Sequence, residues 1–196
     1  MTENNEHTGH RRSIRLQNYD YAQNGLYFVT ICVHDRLCLF GDIYNDVMRL
    51  NDAGTMTHQW FIELENKFPD LQCDEFICMP NHIHLIIAKT GKREYQQTVG
   101  SDLCVRPSPS ESTQKGDPNG SASPLQKIVQ WYKTMTTNEY IRGVKNDGWV
   151  TFSKRLWQRN YWEHVIRSEQ ELYEIREYIN NNPARWATDE LYISIR

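Results

Sequence analysis

Two histidines one residue apart, His82 and His84, sit in the apolar run Met79-Pro80-Asn81-His82-Ile83-His84-Leu85-Ile86-Ile87. Strand side chains alternate between faces, so on a strand both imidazoles project from one side while Ile83 points to the other. Two neutral imidazoles on one face suit chelation of a divalent cation. The spacing alone is a weak signal, because two ordinary hydrogen-bonded histidines satisfy it as well. Far downstream, Tyr178 and Asn182 stand four apart in a segment patterned as a helix, so they share one helix face. If that helix crosses the sheet face carrying the histidines, Asn182 can offer its carbonyl oxygen to the same cation. Tyr178 would then stand beside it. Taken alone, such a tyrosine is more often a packing residue with a satisfied hydroxyl.

The elements that must position these side chains follow from the hydrophobic pattern. Leu26 to Val33 is β-branched and aromatic and predicts a buried central strand. Residues 37–50 hold two short apolar stretches broken at Gly41-Asp42 and Asn45-Asp46, consistent with an irregular hairpin. Asn51 or Asp52 can cap a helix running to about Lys67, with Met56, Trp60 and Leu64 on one face. Cys73 to Met79 and His82 to Ala88 predict two strands joined at Pro80-Asn81, hence antiparallel neighbours. Ser123-Pro124 opens a helix that the pattern carries to about Arg142, and Gly143 to Gly148 ends it. His164 to Ile166 reads as a short fourth strand. Ser168 and Glu171 form a capping-box pattern at the start of a helix to about Asn182, with Leu172, Ile175 and Ile179 as its buried stripe. Pro183 stops it.

The order is strand, helix, strand, strand, helix, strand, helix. The first six elements fit an α+β, ferredoxin-like split βαβ layout: one antiparallel sheet with helices on one face. The last helix, which carries Tyr178, is an addition. The 196 residues suit a single domain. Residues 1–20 read as a polar N-terminal tail. Residues 90–123, rich in Ser, Pro, Gly and Thr, read as a flexible insertion.

Bulk composition narrows the class. Hydrophobic content of 39% is in the globular range. The net charge of −3 neither requires nor excludes nucleic acid. Five cysteines with no C-x-x-C spacing argue against a cysteine zinc site and for reduced thiols. No apolar run approaches a bilayer span and no signal peptide is visible, so the expectation is a cytoplasmic protein without a membrane partner.

Four stretches, taken together, resemble the HUH single-tyrosine transposases, and most closely the REP-associated tyrosine transposases. They are Gly25 to Val33, Met79 to Ile87, Trp157 to Arg167, and Arg176 to Trp186 with the sequence REYINNNPARW. The resemblance spans most of residues 11–186 outside the insertion. It implies His82, His84 and Asn182 as metal ligands, Tyr178 as nucleophile, Mg²⁺ or Mn²⁺ as cofactor, and single-stranded or hairpin DNA as partner. It implies cleavage through a covalent 5′-phosphotyrosine with release of a 3′ hydroxyl. Both monomeric and homodimeric arrangements fit it.

For the DNA, aromatic residues that stack on bases and cations that follow phosphates are expected together. Arg155, Trp157, Arg159, Tyr161, Trp162 and Arg167 form such a mixture, and Arg11 and Arg12 add a basic pair in the tail. A packed core with solvated or paired arginines explains the same mixture equally well. From residue 124 to 186 there are ten Lys/Arg against seven Asp/Glu, a mild local excess of positive charge. Two other readings compete with the transposase. One is a domesticated, non-catalytic hairpin-DNA-binding regulator, which would have no need of the tyrosine and metal set. The other is a metal-dependent hydrolase of small phosphates, which would leave Tyr178 without a role.

Overall fold

The structure, a computed structural model, describes residues 24–91 and 123–192. The N-terminal tail with Arg11 and Arg12, and nearly all of the 90–123 insertion, lie outside the described residues.

Four strands form one antiparallel sheet: β1 (Gly25–Cys32), β4 (Leu71–Met79), β5 (His82–Lys89) and β6 (Trp162–Ile166). Their spatial order is β4-β5-β1-β6. With α1 (Asp52–Lys67) joining β1 to β4 and α2 (Pro124–Asn146) joining β5 to β6, this is the ferredoxin-like layout expected from the pattern. A separate hairpin, β2 (Gly41–Tyr44) and β3 (Val47–Leu50), is inserted before α1. It is more regular than the sequence suggests. Asn45 and Asp46 both adopt positive φ (50° and 60°), the two-residue turn whose twist matches antiparallel strands.

The alternation of the strands divides the sheet into two layers. Tyr27, Val29, Ile31, Ile83, Leu85 and Ile87 face α1 and α2 and form the main core with Met56, Leu64, Leu125 and Tyr132. The opposite face carries Phe28 and Ile86, which with Ile166 bury Ile179 of α3 (Glu169–Asn181). Leu172 and Ile175 pack against the same cluster. The added helix therefore lies on the face opposite α1 and α2.

The caps behave as the sequence suggests. Asn51 Oδ1 accepts from Gly54 N at 2.8 Å, and Ser168 Oγ accepts from Glu171 N at 3.1 Å. Glu171 reaches back one residue further than a capping box requires, accepting from Arg167 N at 2.6 Å. The end of α2 differs from expectation. Gly143 does not stop the helix but lies inside it, because the Trp149 ring packs where a Cβ would stand, 2.2 Å from the nearest ring atom. Among the described residues, no helix is long and apolar enough to cross a membrane, and Cys32, Cys38, Cys73 and Cys78 are all free thiols.

Candidate active site

The site forms at the end of the α3-facing layer where β5 begins. Register pairs Cys32 with His82 and Thr30 with both His84 and Trp162, so these side chains project together. The two imidazoles meet, His82 Nε2 lying 3.1 Å from His84 Nε2, and Ile83 points into the main core as the alternation requires. Each ring is also held through its other nitrogen. His82 Nδ1 lies 2.9 Å from Asn81 Oδ1, and His84 Nδ1 lies 2.8 Å from Thr30 Oγ1. Burial pushes both imidazole pKa values down to about 3, assisted at His82 by the Arg36 charge and at His84 by His82. Both rings are therefore neutral at physiological pH, the form in which imidazole donates a lone pair.

The tyrosine helix reaches the pair. Tyr178 Oη stands 3.5 Å from His84 Nε2, and its ring packs edge-on against His84 and Phe28. The apolar seam of Phe28, Ile86, Ile166 and Ile179 holds α3 in place. Arg176 adds a bidentate ion pair to Asp74 on β4. Such a surface pair contributes about 0–1 kcal/mol, so the seam dominates. Tyr178 and the histidine pair thus meet within one chain. The Tyr178 pKa is raised, first by burial and then by Asp189, while a hydrogen bond with Asn182 opposes the shift.

Asn182 closes α3 and is 1% exposed, and its Oδ1 is buried without a hydrogen-bond partner. A buried amide oxygen left unpaired is costly and calls for an electrophile. Two imidazole nitrogens at 3.1 Å also match two adjacent ligands of one ion, which at Zn-like bond lengths lie about 3.0–3.4 Å apart. The residues present thus fit a divalent cation bound by two nitrogens and one amide oxygen. Among the described residues, no three His, Cys, Asp or Glu side chains cluster as a metal site, so Asn182 is the third donor that the fit depends on.

Comparison with known proteins bears on the fold and on the class of relatives. No protein-family model matches the chain. An uncharacterized protein of Haemophilus influenzae is 38% identical over 187 residues, covering 94% of each chain. A second protein of that organism, provisionally described as a REP-associated tyrosine transposase, is 24% identical over 181 residues, covering 87% of this chain and 77% of its own. The chain is similar in sequence, over most of its length, to that REP-associated tyrosine transposase. The solved structure of a REP-associated tyrosine transposase bound to a REP hairpin shares the fold, at 18% identity and TM-score 0.50, covering 87% of this chain and 73% of the other.

Within the structure, the expected DNA-binding residues separate. Trp162 is 45% exposed next to the site, stacked on His164 with centroids 5.8 Å apart. Arg155 and Arg159 line an open groove of about 420 Å³ together with Lys154, with no carboxylate in its wall. The loop bearing them is anchored from beneath by Lys133, whose Nζ donates to the Gln158 and Asn160 carbonyls at 3.0 and 3.1 Å. Trp157 is mainly a core residue. It is 4% exposed in the main core, and its Nε1–H donates to Thr136 Oγ1 at 2.8 Å, so it offers little ring face to the groove it borders. Tyr161 also turns to the core side, with Lys133 Nζ 5.4 Å over its ring. Arg167 stands beyond the far end of β6, about 16 Å along the strand from Trp162. His164 is engaged with α3 instead, its Nε2 bonding Glu171 Oε1 at 2.6 Å.

Three residues at the site carried no expectation. Thr30 was one polar position in an apolar strand, and its alternation with Phe28 was the available signal. Asn81 read only as a turn residue. Trp186, in the 3-10 turn after α3, packs its ring 5.9 Å from His82. Only its place at the end of the fourth stretch hinted at it.

Proposed function

We propose that the protein is a DNA transposase or nickase that cuts and rejoins single-stranded or hairpin DNA, with Tyr178 as nucleophile and a divalent cation held by His82, His84 and Asn182. The observation that carries this reading is the approach of Tyr178 Oη to within 3.5 Å of a histidine pair whose Nε2 atoms converge. When bound, Mg²⁺ or Mn²⁺ would withdraw charge from the scissile phosphate and favour the phenolate. Two nitrogen donors with one oxygen suit Mn²⁺ better than Mg²⁺, which prefers oxygen alone.

The chain supplies the remaining parts. Tyr178 is poorly nucleophilic while its phenol is protonated, and burial raises its pKa further. The hydrogen bond with Asn182 offsets part of that cost by favouring the phenolate. Attack by the Tyr178 oxygen forms a bond to phosphorus and breaks the bond from phosphorus to the 3′ oxygen. The phenol loses one proton and the departing 3′ oxygen gains one. The 5′ phosphate stays on the tyrosine, so its bond energy is kept. A 3′ hydroxyl of another end can reverse the step and join strands without ATP.

Trp162 offers an exposed ring, packed on the same Phe28 as the tyrosine, on which a flanking base can stack, and Lys154, Arg155 and Arg159 offer a carboxylate-free groove for phosphates. Because Tyr178 reaches the histidines of its own chain, one molecule suffices for the first cut. The test is incubation with hairpin DNA and Mn²⁺ followed by a denaturing gel. A covalent protein–DNA adduct that requires Mn²⁺ is expected. Salt-sensitive hairpin binding with no cleavage under any divalent metal would instead favour the non-catalytic regulator. Turnover of small phosphate esters without DNA would favour the hydrolase.

A further inference from the structure

Asn81 and Thr30 are buried, 1% and 8% exposed, and each ends on one imidazole of the site. We infer that Asn81 and Thr30 are positioning residues that set which nitrogen of His82 and His84 carries the proton, and so aim both Nε2 lone pairs at one cation. The inference rests on the metal reading above.

The orientation of the Asn81 amide is fixed by its surroundings. Its Nδ2 donates to the Leu191 carbonyl at 2.8 Å and the Arg36 carbonyl at 3.3 Å. A flipped amide would set Oδ1 against two carbonyl oxygens. Oδ1 therefore faces His82 Nδ1 and, having no proton to give, accepts one from it. A neutral imidazole carries a single proton, so His82 Nε2 is left bare. The backbone reinforces this arrangement, since Val33 N donates to the Asn81 carbonyl at 2.8 Å and Arg36 Nη1 holds the Glu190 carbonyl at 3.0 Å. The chain beyond the tyrosine helix is thereby tied to the residue that orients the first histidine.

Thr30 works differently, because a hydroxyl both donates and accepts. The 3.1 Å Nε2–Nε2 approach is a hydrogen bond only if His84 carries its proton on Nε2 and Thr30 donates to Nδ1. Binding a cation requires the proton on His84 Nδ1, with Thr30 now accepting. Rotation of one hydroxyl serves both arrangements with no movement of the backbone. Valine at this position could serve neither. Partners of this kind typically change metal affinity by about 10–100-fold.

Two measurements on the full chain test this. In the first, long-range ¹H–¹⁵N correlation of the imidazoles in metal-free protein should show His82 protonated on Nδ1. Protonation on Nε2 would overturn the inference, and this readout needs no variant to fold. In the second, Mn²⁺ is titrated calorimetrically into the parent, Asn81→Ala, Thr30→Val, Thr30→Ser and His84→Ala. Asn81→Ala and Thr30→Val should bind about 10–100-fold more weakly, Thr30→Ser should stay close to the parent, and His84→Ala should lose binding. Parent-like affinity in both Asn81→Ala and Thr30→Val would overturn the inference while leaving the metal reading intact. No Mn²⁺ binding by the parent would overturn the metal reading, and this inference with it.

Discussion

Acid should destabilise this protein early, and His82 and His84 should be the reason. Each imidazole is buried and has a folded-state pKa near 3, against about 6.5 when unfolded. Between those values the unfolded chain binds protons that the folded chain refuses. Stability therefore rises with pH across the window and falls as pH drops below 6.5. Going from pH 7 to pH 5, each histidine withdraws about 2 kcal/mol, so the pair withdraws about 4 kcal/mol if the two act independently. That is a large share of a typical domain stability of about 5–15 kcal/mol. The assay is urea unfolding in EDTA at pH 7 and pH 5, comparing the parent with His82→Gln/His84→Gln. With a slope of about 2 kcal/mol per molar, the parent midpoint should drop by about 2 M more than that of the double variant. Carboxylates titrate alike in both proteins, so the difference isolates the histidines. Equal losses in the two would refute the reasoning. If the double variant fails to fold, imidazole shifts in the parent serve instead, and titration of either ring near pH 6.5 gives the same refutation.

Further outcomes follow from other parts of the molecule. Ile179→Ala should cost about 2–5 kcal/mol in denaturant unfolding by emptying the seam under α3, and a change below 1 kcal/mol would contradict its role there. Gly143→Ala forces a methyl group into the Trp149 ring and should cost about 1–3 kcal/mol, read as a lower melting temperature. Trp162→Ala should leave the melting temperature near that of the parent, because the ring is 45% exposed, yet weaken single-stranded DNA binding by about 1–3 kcal/mol in fluorescence anisotropy. Arg155→Ala or Arg159→Ala should lower the slope of log affinity against log salt by about 0.7 for each lost phosphate contact, and an unchanged slope would remove the groove from the DNA path.

The fold was readable because its periodicities do not conflict. β1 and β5 are apolar runs, α1 and α3 are amphipathic and properly capped, and Pro80-Asn81 joins β4 to β5 directly. Gly143 misled because glycine ends helices more often than it admits a neighbouring ring, and nothing local announces that Trp149 will pack on it. The site was half readable. Period-two spacing placed His82 and His84 on one face, and period 3.6 placed Tyr178 with Asn182. Whether those faces meet is a long-range matter, decided by Phe28, Ile86, Ile166 and Ile179. Trp157 stayed undecided because an aromatic residue beside arginines looks the same in a sequence whether it is core or platform. Alternation along the strand, which sends Tyr161 inward and Trp162 outward, was the available guide. Asn81 and Thr30 escaped notice because their significance lies in the direction of a hydrogen bond.

The central claim is that Tyr178 attacks DNA beside the histidine pair. The most direct measurement is mass-spectrometric mapping of the adduct formed with hairpin DNA and Mn²⁺. A nucleotide attached to the peptide at Tyr178, and loss of the adduct in Tyr178→Phe, is the predicted result. An adduct on another exposed tyrosine, such as Tyr173 or Tyr192, or undiminished adduct in Tyr178→Phe, would contradict it.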